Sequence, residues 1–209
     1  MPLVPGVSID FDGASARPAP YRGLVAEAFR AACRLYLSLT GWTLKGDWPA
    51  YPKAVLCAAP HTSNWDGIHM LAAAGAYRAR IAWMGKASLT SGPFGGLVKW
   101  AGCVPIDRSA SHDVVGSMAR AFVAVDRMLL RIPPEGTRGR AERWKSGFYR
   151  IAAEAGVPIV FTVLDYGDRT IRLSGAMLPS GDYEADFPVI QRHYAEAVGK
   201  YPDKFTVDA

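Results

Sequence analysis

Residues 54–77 read AVLCAAPHTSNWDGIHMLAAAGAY. The apolar run Ala54 to Ala59 is short and carries no polar alternation, which suits a strand buried on both faces of a sheet. Pro60 to Asn64 form a polar turn. From Trp65 to Tyr77 a helix is expected, with its apolar residues at helical spacing. Strand, turn and helix in direct succession make the opening half of a βαβ unit.

The same alternation continues toward the C-terminus. Strands are expected at Ile81–Met84, Val104–Ile106, Met128–Ile132 and Val157–Leu164, with Thr170–Met177 beside the last. Helices are expected at Gly92–Trp100, Asp113–Asp126, Lys145–Ala155 (stopped by Gly156) and Pro188–Tyr201. Toward the N-terminus, Tyr21 to Leu39 has Leu24, Val25, Ala28, Phe29, Ala32, Leu35, Tyr36 and Leu39 at spacings of three and four, with Arg22, Glu27, Arg30 and Arg34 largely opposite. That helix either docks on the core or lies in a membrane interface. Residues 1–20, rich in Pro, Gly and Ala, are expected to be an irregular arm. The expected fold is α/β, a mostly parallel central sheet flanked by helices and preceded by an N-terminal amphipathic helix. The division is 1–41 for the arm and amphipathic helix, and 42–209 for one α/β domain.

Lys and Arg outnumber Asp and Glu by 24 to 19, a formal charge of +5 that favours anionic partners. The basic residues form no long stripe and no aromatic-interleaved RNA motif, so a nucleic-acid partner is not expected. Cys33, Cys57 and Cys103 are widely spaced and read as buried small hydrophobes in a reducing compartment. The start has no signal-peptide pattern, and no apolar run is long enough to span a bilayer. A cytoplasmic protein, peripheral on the inner face of the membrane, fits these facts.

The polar residues gather after the expected strands. His61 and Asp66 follow the first, five residues apart. On a regular helix that spacing turns about 140°, so the two can meet only with His61 in the turn and Asp66 near the helix start. A carboxylate on one imidazole nitrogen fixes the tautomer and leaves the other as a base. Such a pair can take a proton from a hydroxyl as it attacks a carbonyl. Alone, the spacing is better explained by a structural turn. IPPEGTRGR, residues 132–140, follows another strand and brings Glu135, Gly136, Thr137 and Arg138 into one turn. Gly136 permits close backbone approach. Arg138 offers a fork of donors suited to phosphate. Glu135 can position Arg138 or hold a substrate hydroxyl; alone, a charged turn with an internal ion pair explains the segment equally well. GCVPIDRS, residues 102–109, places Arg108 after a third strand, and Lys86 stands after a fourth. The ensemble is a basic, partly apolar pocket around a His–Asp pair. Two rivals remain: a metal site built on His61, Asp66 and His69, and a non-catalytic lipid-binding module.

Together these segments resemble the glycerophospholipid acyltransferase family, best known for the lysophosphatidate acyltransferases. The first family motif, His and Asp separated by four residues, stands here as HTSNWD. The second is GCVPIDR, the third PEGTR (134–138), and the fourth the strand VPIVFTVL (157–164). MGKASL (84–89), GPFGGL (92–97) and WKSGFYRIA (144–152) are also similar, and order and gaps agree over about 42–164. Pro60, Pro133 and Gly139 depart from the common pattern without removing a reactive group. The resemblance implies that His61 is the general base and Asp66 its orienting partner. It implies that Arg108, Glu135 and Arg138, with Lys86, hold the acceptor's polar head, and that Gly136 and Thr137 shape the turn. The implied reaction carries a fatty-acyl group from acyl-CoA or acyl carrier protein to the free hydroxyl of a lysolipid. The acceptor is 1-acyl-glycerol-3-phosphate, a related lysophospholipid, or a non-glycerol lysolipid such as an aminolipid. No metal or other cofactor is implied, and the partners are the acceptor, the thioester donor and a membrane surface.

Overall fold

The computed structural model describes residues 5–6, 8–10, 23–46, 48, 51–106 and 114–207. Its strands are β1 (Ser8–Asp10), β2 (Thr43–Lys45), β3 (Lys53–Ala59), β4 (Ile81–Lys86), β5 (Cys103–Ile106), β6 (Met128–Ile132), β7 (Ile159–Asp165) and β8 (Thr170–Met177). Its helices are α1 (Leu24–Leu39), α2 (Trp65–Ala76), α3 (Ser88–Ser91), α4 (Gly95–Trp100), α5 (Val114–Val123), α6 (Gly147–Ala155) and α7 (Tyr183–Gln191). The strands form one sheet in the order β1-β8-β7-β3-β6-β4-β5, with β2 also on β8. From β7 to β5 every neighbour is parallel. β8 runs antiparallel to β7, as does β1 to β8, while β2 is parallel to β8. This is the mostly parallel α/β sheet that the sequence predicts.

β3 is the central strand, and its side chains alternate between two cores. Val55, Cys57 and Ala59 face a core with Phe122, Trp144, Phe148 and Tyr194. Ala54, Leu56 and Ala58 face a second core with Cys33, Leu37, Met70 and the alanines of α2. Burial on both sides explains the unbroken apolar run in β3, and in β7, where every residue is buried. α1 and α2 pack closely: a Cβ built on Gly75 would lie 2.5 Å from Cys33 Sγ. Arg78 clamps the pair by donating to Glu27, and Arg30 Nε donates to the Ala76 carbonyl.

Several boundaries differ from expectation. β1 lies inside the arm expected to be irregular, and three-residue β2 is too short to leave an alternating pattern. Of the helix expected at 92–100 only Gly95–Trp100 forms, as α4; α3 (Ser88–Ser91) is a separate turn before it, and Pro93 keeps Gly92 extended between the two. The terminal helix begins at Tyr183, not Pro188: the Asp182 side chain accepts the Ala185 N–H and caps it. Pro188 sits within α7, whose inner face is held by buried Phe187 and Ile190. α6 ends on Gly156 in the left-handed region, φ 62°, as its sequence predicts.

Candidate active site

The C-terminal ends of β7, β3 and β6 are adjacent and point the same way, and ligands of open α/β sheets collect at that edge. After β3, Pro60 to Asn64 turn the chain into α2. His61 stands in that turn, and Asp66 lies in the first helical turn, where the helix dipole favours a carboxylate. Both are buried, Asp66 completely. His61 Nδ1 lies 3.3 Å from Asp66 Oδ2. The Ser63 N–H donates to Asp66 Oδ2 at 2.7 Å, and the Tyr166 hydroxyl donates to Oδ1 at 2.6 Å. Burial opposes ionisation of Asp66, but the contacts from His61, Tyr166 and Ser63 outweigh it and hold the carboxyl below its ordinary range. Burial also holds the His61 imidazole below the ordinary histidine value, with Asp66 opposing the shift. The imidazole is therefore neutral at neutral pH.

The turn after β6 meets this pair through Glu135. Its Oε1 accepts the backbone N–H of His61 at 2.7 Å, and its Oε2 is buried without a partner. Burial pushes the Glu135 carboxyl up to about 7. Gly136 is left-handed, φ 65°, and a Cβ there would lie 2.9 Å from the Lys145 stem. The Lys145 N–H donates to the Pro134 carbonyl, so WKSG folds over the turn. Thr137 Oγ1 accepts the Gly139 N–H at 3.1 Å. Arg138 is exposed at the rim and close enough to act on His61 through its charge. Lys86 is exposed at the end of β4 and makes no hydrogen bond or ion pair with this cluster among the described residues. Arg108 lies outside the described residues. His69 turns away to Tyr36: its Nδ1 is 3.1 Å from that hydroxyl, and its ring packs on Trp42 at 4.4 Å.

Three contributors escape the sequence reading. Tyr166 follows β7 as His61 follows β3, so position after a strand was its one available signal. Arg131 is the single charge in the strand MLLRI, and its Nη2 lies 3.3 Å from His61 Nδ1. The segment Val198–Tyr201 crosses the dyad turn: the Tyr201 N–H donates to Thr62 Oγ1, the Tyr166 N–H donates to the Val198 carbonyl, and Lys200 Nζ stands 5.2 Å from the Trp65 ring centre. A buried imidazole with one nitrogen beside a carboxylate, at the open edge of a sheet, is an arrangement able to accept a proton from a hydroxyl.

The family model described as Acyltransferase matches residues 44–164, more than half of the chain. Among solved structures, the fold is similar to that of the 1-acyl-sn-glycerophosphate (LPA) acyltransferase PlsC from Thermotoga maritima. The TM-score is 0.54 at 15% identity, over 82% of this chain and 79% of that one. No curated protein matches. The fold likeness runs beyond the matched span on a shared architecture, while the span itself contains the His61–Asp66 turn, Arg131 and the Glu135 turn; on that match the chain belongs to the acyltransferase family.

Proposed function

We propose that this acyltransferase moves a fatty-acyl group from an acyl thioester, acyl-CoA or acyl carrier protein, to the free hydroxyl of a lysolipid. A lysophospholipid such as 1-acyl-glycerol-3-phosphate is the acceptor that best suits the site. The reading rests on one observation: His61 and Asp66 meet inside a turn that Glu135 of the PEGTR segment holds by its backbone. His61 removes the proton as the acceptor oxygen attacks the thioester carbonyl. The carbon–sulfur bond then breaks, and the leaving thiolate takes the proton back from the imidazolium. Asp66 orients the imidazole and stabilises its charged form. Glu135 supports the base through the His61 N–H and keeps its unpaired Oε2 for the acceptor. Exposed Arg138 and Lys86 suit an anionic head. Gly136 and Thr137 shape the turn, and the reaction needs no metal.

The test is acyl transfer by purified protein with radiolabelled long-chain acyl-CoA, acyl carrier protein thioester and a panel of lysolipids. His61→Ala is expected to lower kcat by roughly 10²–10⁴-fold, the usual contribution of a general base. Equal product from wild type and variant on any acceptor would exclude His61 as the base. Because the folded imidazole titrates below 6.5, its neutral form persists at neutral pH and is lost as pH falls through the lowered value. The acid limb of kcat/KM is expected below pH 6.5; a limb above it would contradict a buried base.

We also propose that the enzyme works docked on an anionic bilayer. Leu35 and Leu39 of α1, Trp65 and Ile68 of α2, Leu97 of α4 and Phe94 just before it are large, apolar and exposed. Exposed Arg34 and Lys99 lie on the same helices, and Phe29 of α1 meets Trp100 of α4, so the helices are neighbours. No helix among the described residues is long and apolar enough to cross a membrane. Apolar anchors among basic residues suit insertion at a headgroup boundary. Co-sedimentation with phosphatidylglycerol vesicles tests this, and unchanged binding by Leu35→Ser/Phe94→Ser would refute it.

A further inference from the structure

Arg131 brings a charge to the dyad that the proposed mechanism does not use. In register it lies beside Leu56 of β3 and Trp83 of β4. Its strand neighbour on the same face, Leu129, packs with the α1–α2 core, so Arg131 rises toward the start of α2. Its Nη2 is 3.3 Å from His61 Nδ1, the same distance as Asp66 Oδ2. One nitrogen cannot serve both. Toward Asp66 it must carry a proton; toward Arg131 it must present a lone pair. The first tautomer leaves Nε2 free to act as a base, and the second places the proton on Nε2 and removes the base. Both separations exceed the ordinary 2.9–3.0 Å of a committed bond.

Arg131 is also short of counter-charge. Its Nε is buried without an acceptor. Asp66 and Glu135 attract it through space, and Arg138 repels it. Asp66 is already held by Ser63 and Tyr166, and Glu135 is only partly ionised near neutrality. Arg131 thus faces one carboxylate already committed to other donors and one only partly charged, a balance that a bound anion improves.

We propose that Arg131 is a positioning residue that gates the dyad. In the empty site it donates to His61 Nδ1 and keeps the imidazole in the tautomer protonated at Nε2. An anionic group on the acceptor, a phosphate above all, draws the guanidinium away. Nδ1 then takes up a proton from solvent and donates to Asp66, and Nε2 releases its proton to solvent, with no net change. The base is assembled only when an anionic acceptor is present, so discrimination against neutral acceptors falls on kcat more than on KM. The consequence for turnover rests on the proposed role of His61; the tautomer change does not.

The experiment is ¹⁵N spectroscopy of histidine-labelled protein, with the His61 signals identified by their loss in His61→Gln. Wild type without ligand is expected to carry the proton on Nε2, and saturating inorganic phosphate to move it to Nδ1. Arg131→Leu is expected to carry it on Nδ1 with or without phosphate. Arg131→Met, which keeps stem length, replaces the Leu variant if that fails to fold. A proton on Nδ1 in ligand-free wild type, or a tautomer indifferent to phosphate, overturns the gate. A second readout compares kcat on lysophosphatidate with kcat on monoacylglycerol. The wild-type ratio is expected to be about tenfold or more and to fall toward one in Arg131→Leu. An unchanged ratio also overturns the gate. Tautomer exchange without acyl transfer would instead remove the proposed reaction while leaving the gate standing.

Discussion

On one face of the sheet α5, α6 and α7 turn their bulk inward. Phe122, Phe148, Phe187 and Tyr194 are buried, and Trp144 packs edge-on against Tyr194 at 5.1 Å while its Nε1 donates to the Thr206 carbonyl. On the other face the core between α1, α2 and the sheet is rich in small residues: Ala72, Ala73, Ala74 and Ala76 of α2 and Ala54 and Ala58 of β3 are buried there, around Met70 and Leu56. Its large residues Trp65, Ile68 and Leu71 are exposed. The first face is a closed core of interlocking rings. The second lets a helix start approach the end of β3, which brings Asp66 to His61, and leaves Trp65, Ile68 and Leu71 outside. Both faces are buried cores, but the large aromatic rings gather on one side, while the site and the exposed apolar residues of α2 share the other.

Perturbing the closed face is expected to have the largest energetic effect. Trp144→Ala removes a buried ring and its bond to Thr206, and should cost about 3–5 kcal/mol in urea unfolding. A loss under about 1 kcal/mol would show that this core is not the main support. At the junction of the two regions, Tyr166→Phe leaves Asp66 Oδ1 buried without its donor, at a cost of roughly 1–3 kcal/mol. Because the hydroxyl is among the groups that hold the Asp66 carboxyl low, its loss raises that pKa, and the carboxylate that supports the His61 base is lost at a higher pH on acidification than in wild type. An unshifted acid limb with normal kcat would remove Tyr166 from the positioning of Asp66. The smallest effect on stability belongs to the open face. Leu35→Ser/Phe94→Ser should change unfolding free energy by only about 0.5 kcal/mol per site while weakening vesicle binding. A large stability loss there would mean that these side chains pack in the folded chain and are not free for lipid.

The sheet was legible because β3 and β7 carry predominantly apolar runs without polar alternation, which suit a doubly covered sheet. β2 was not, since three residues hold too little pattern to read. The contact of His61 with Asp66 was legible because their spacing admits one geometry, turn then helix start. The partner of Glu135 was not. Local reading offered Arg138 or a substrate hydroxyl, whereas the carboxylate accepts a backbone N–H 74 residues earlier. Arg131 is a charge in an apolar strand, an irregularity visible in sequence; its neighbour depends on the register of β6 against β3. Val198–Tyr201 falls beyond the family motifs, and only the fold brings it over Thr62.

The bond from the His61 N–H to Glu135 also bears on the order in which the chain acquires chemistry. Its partners are separated by 74 residues, and the Tyr166–Asp66 bond by 100. Contacts of such sequence separation form late, after the strands between them have paired. A chain emerging from the ribosome holds HTSNWD long before β6 and β7 exist to flank it. The histidine therefore stays unsupported through most of synthesis. Glu135, Arg131 and Tyr166 reach the dyad only when the strand that carries Arg131 and the strand that precedes Tyr166 have paired on either side of β3.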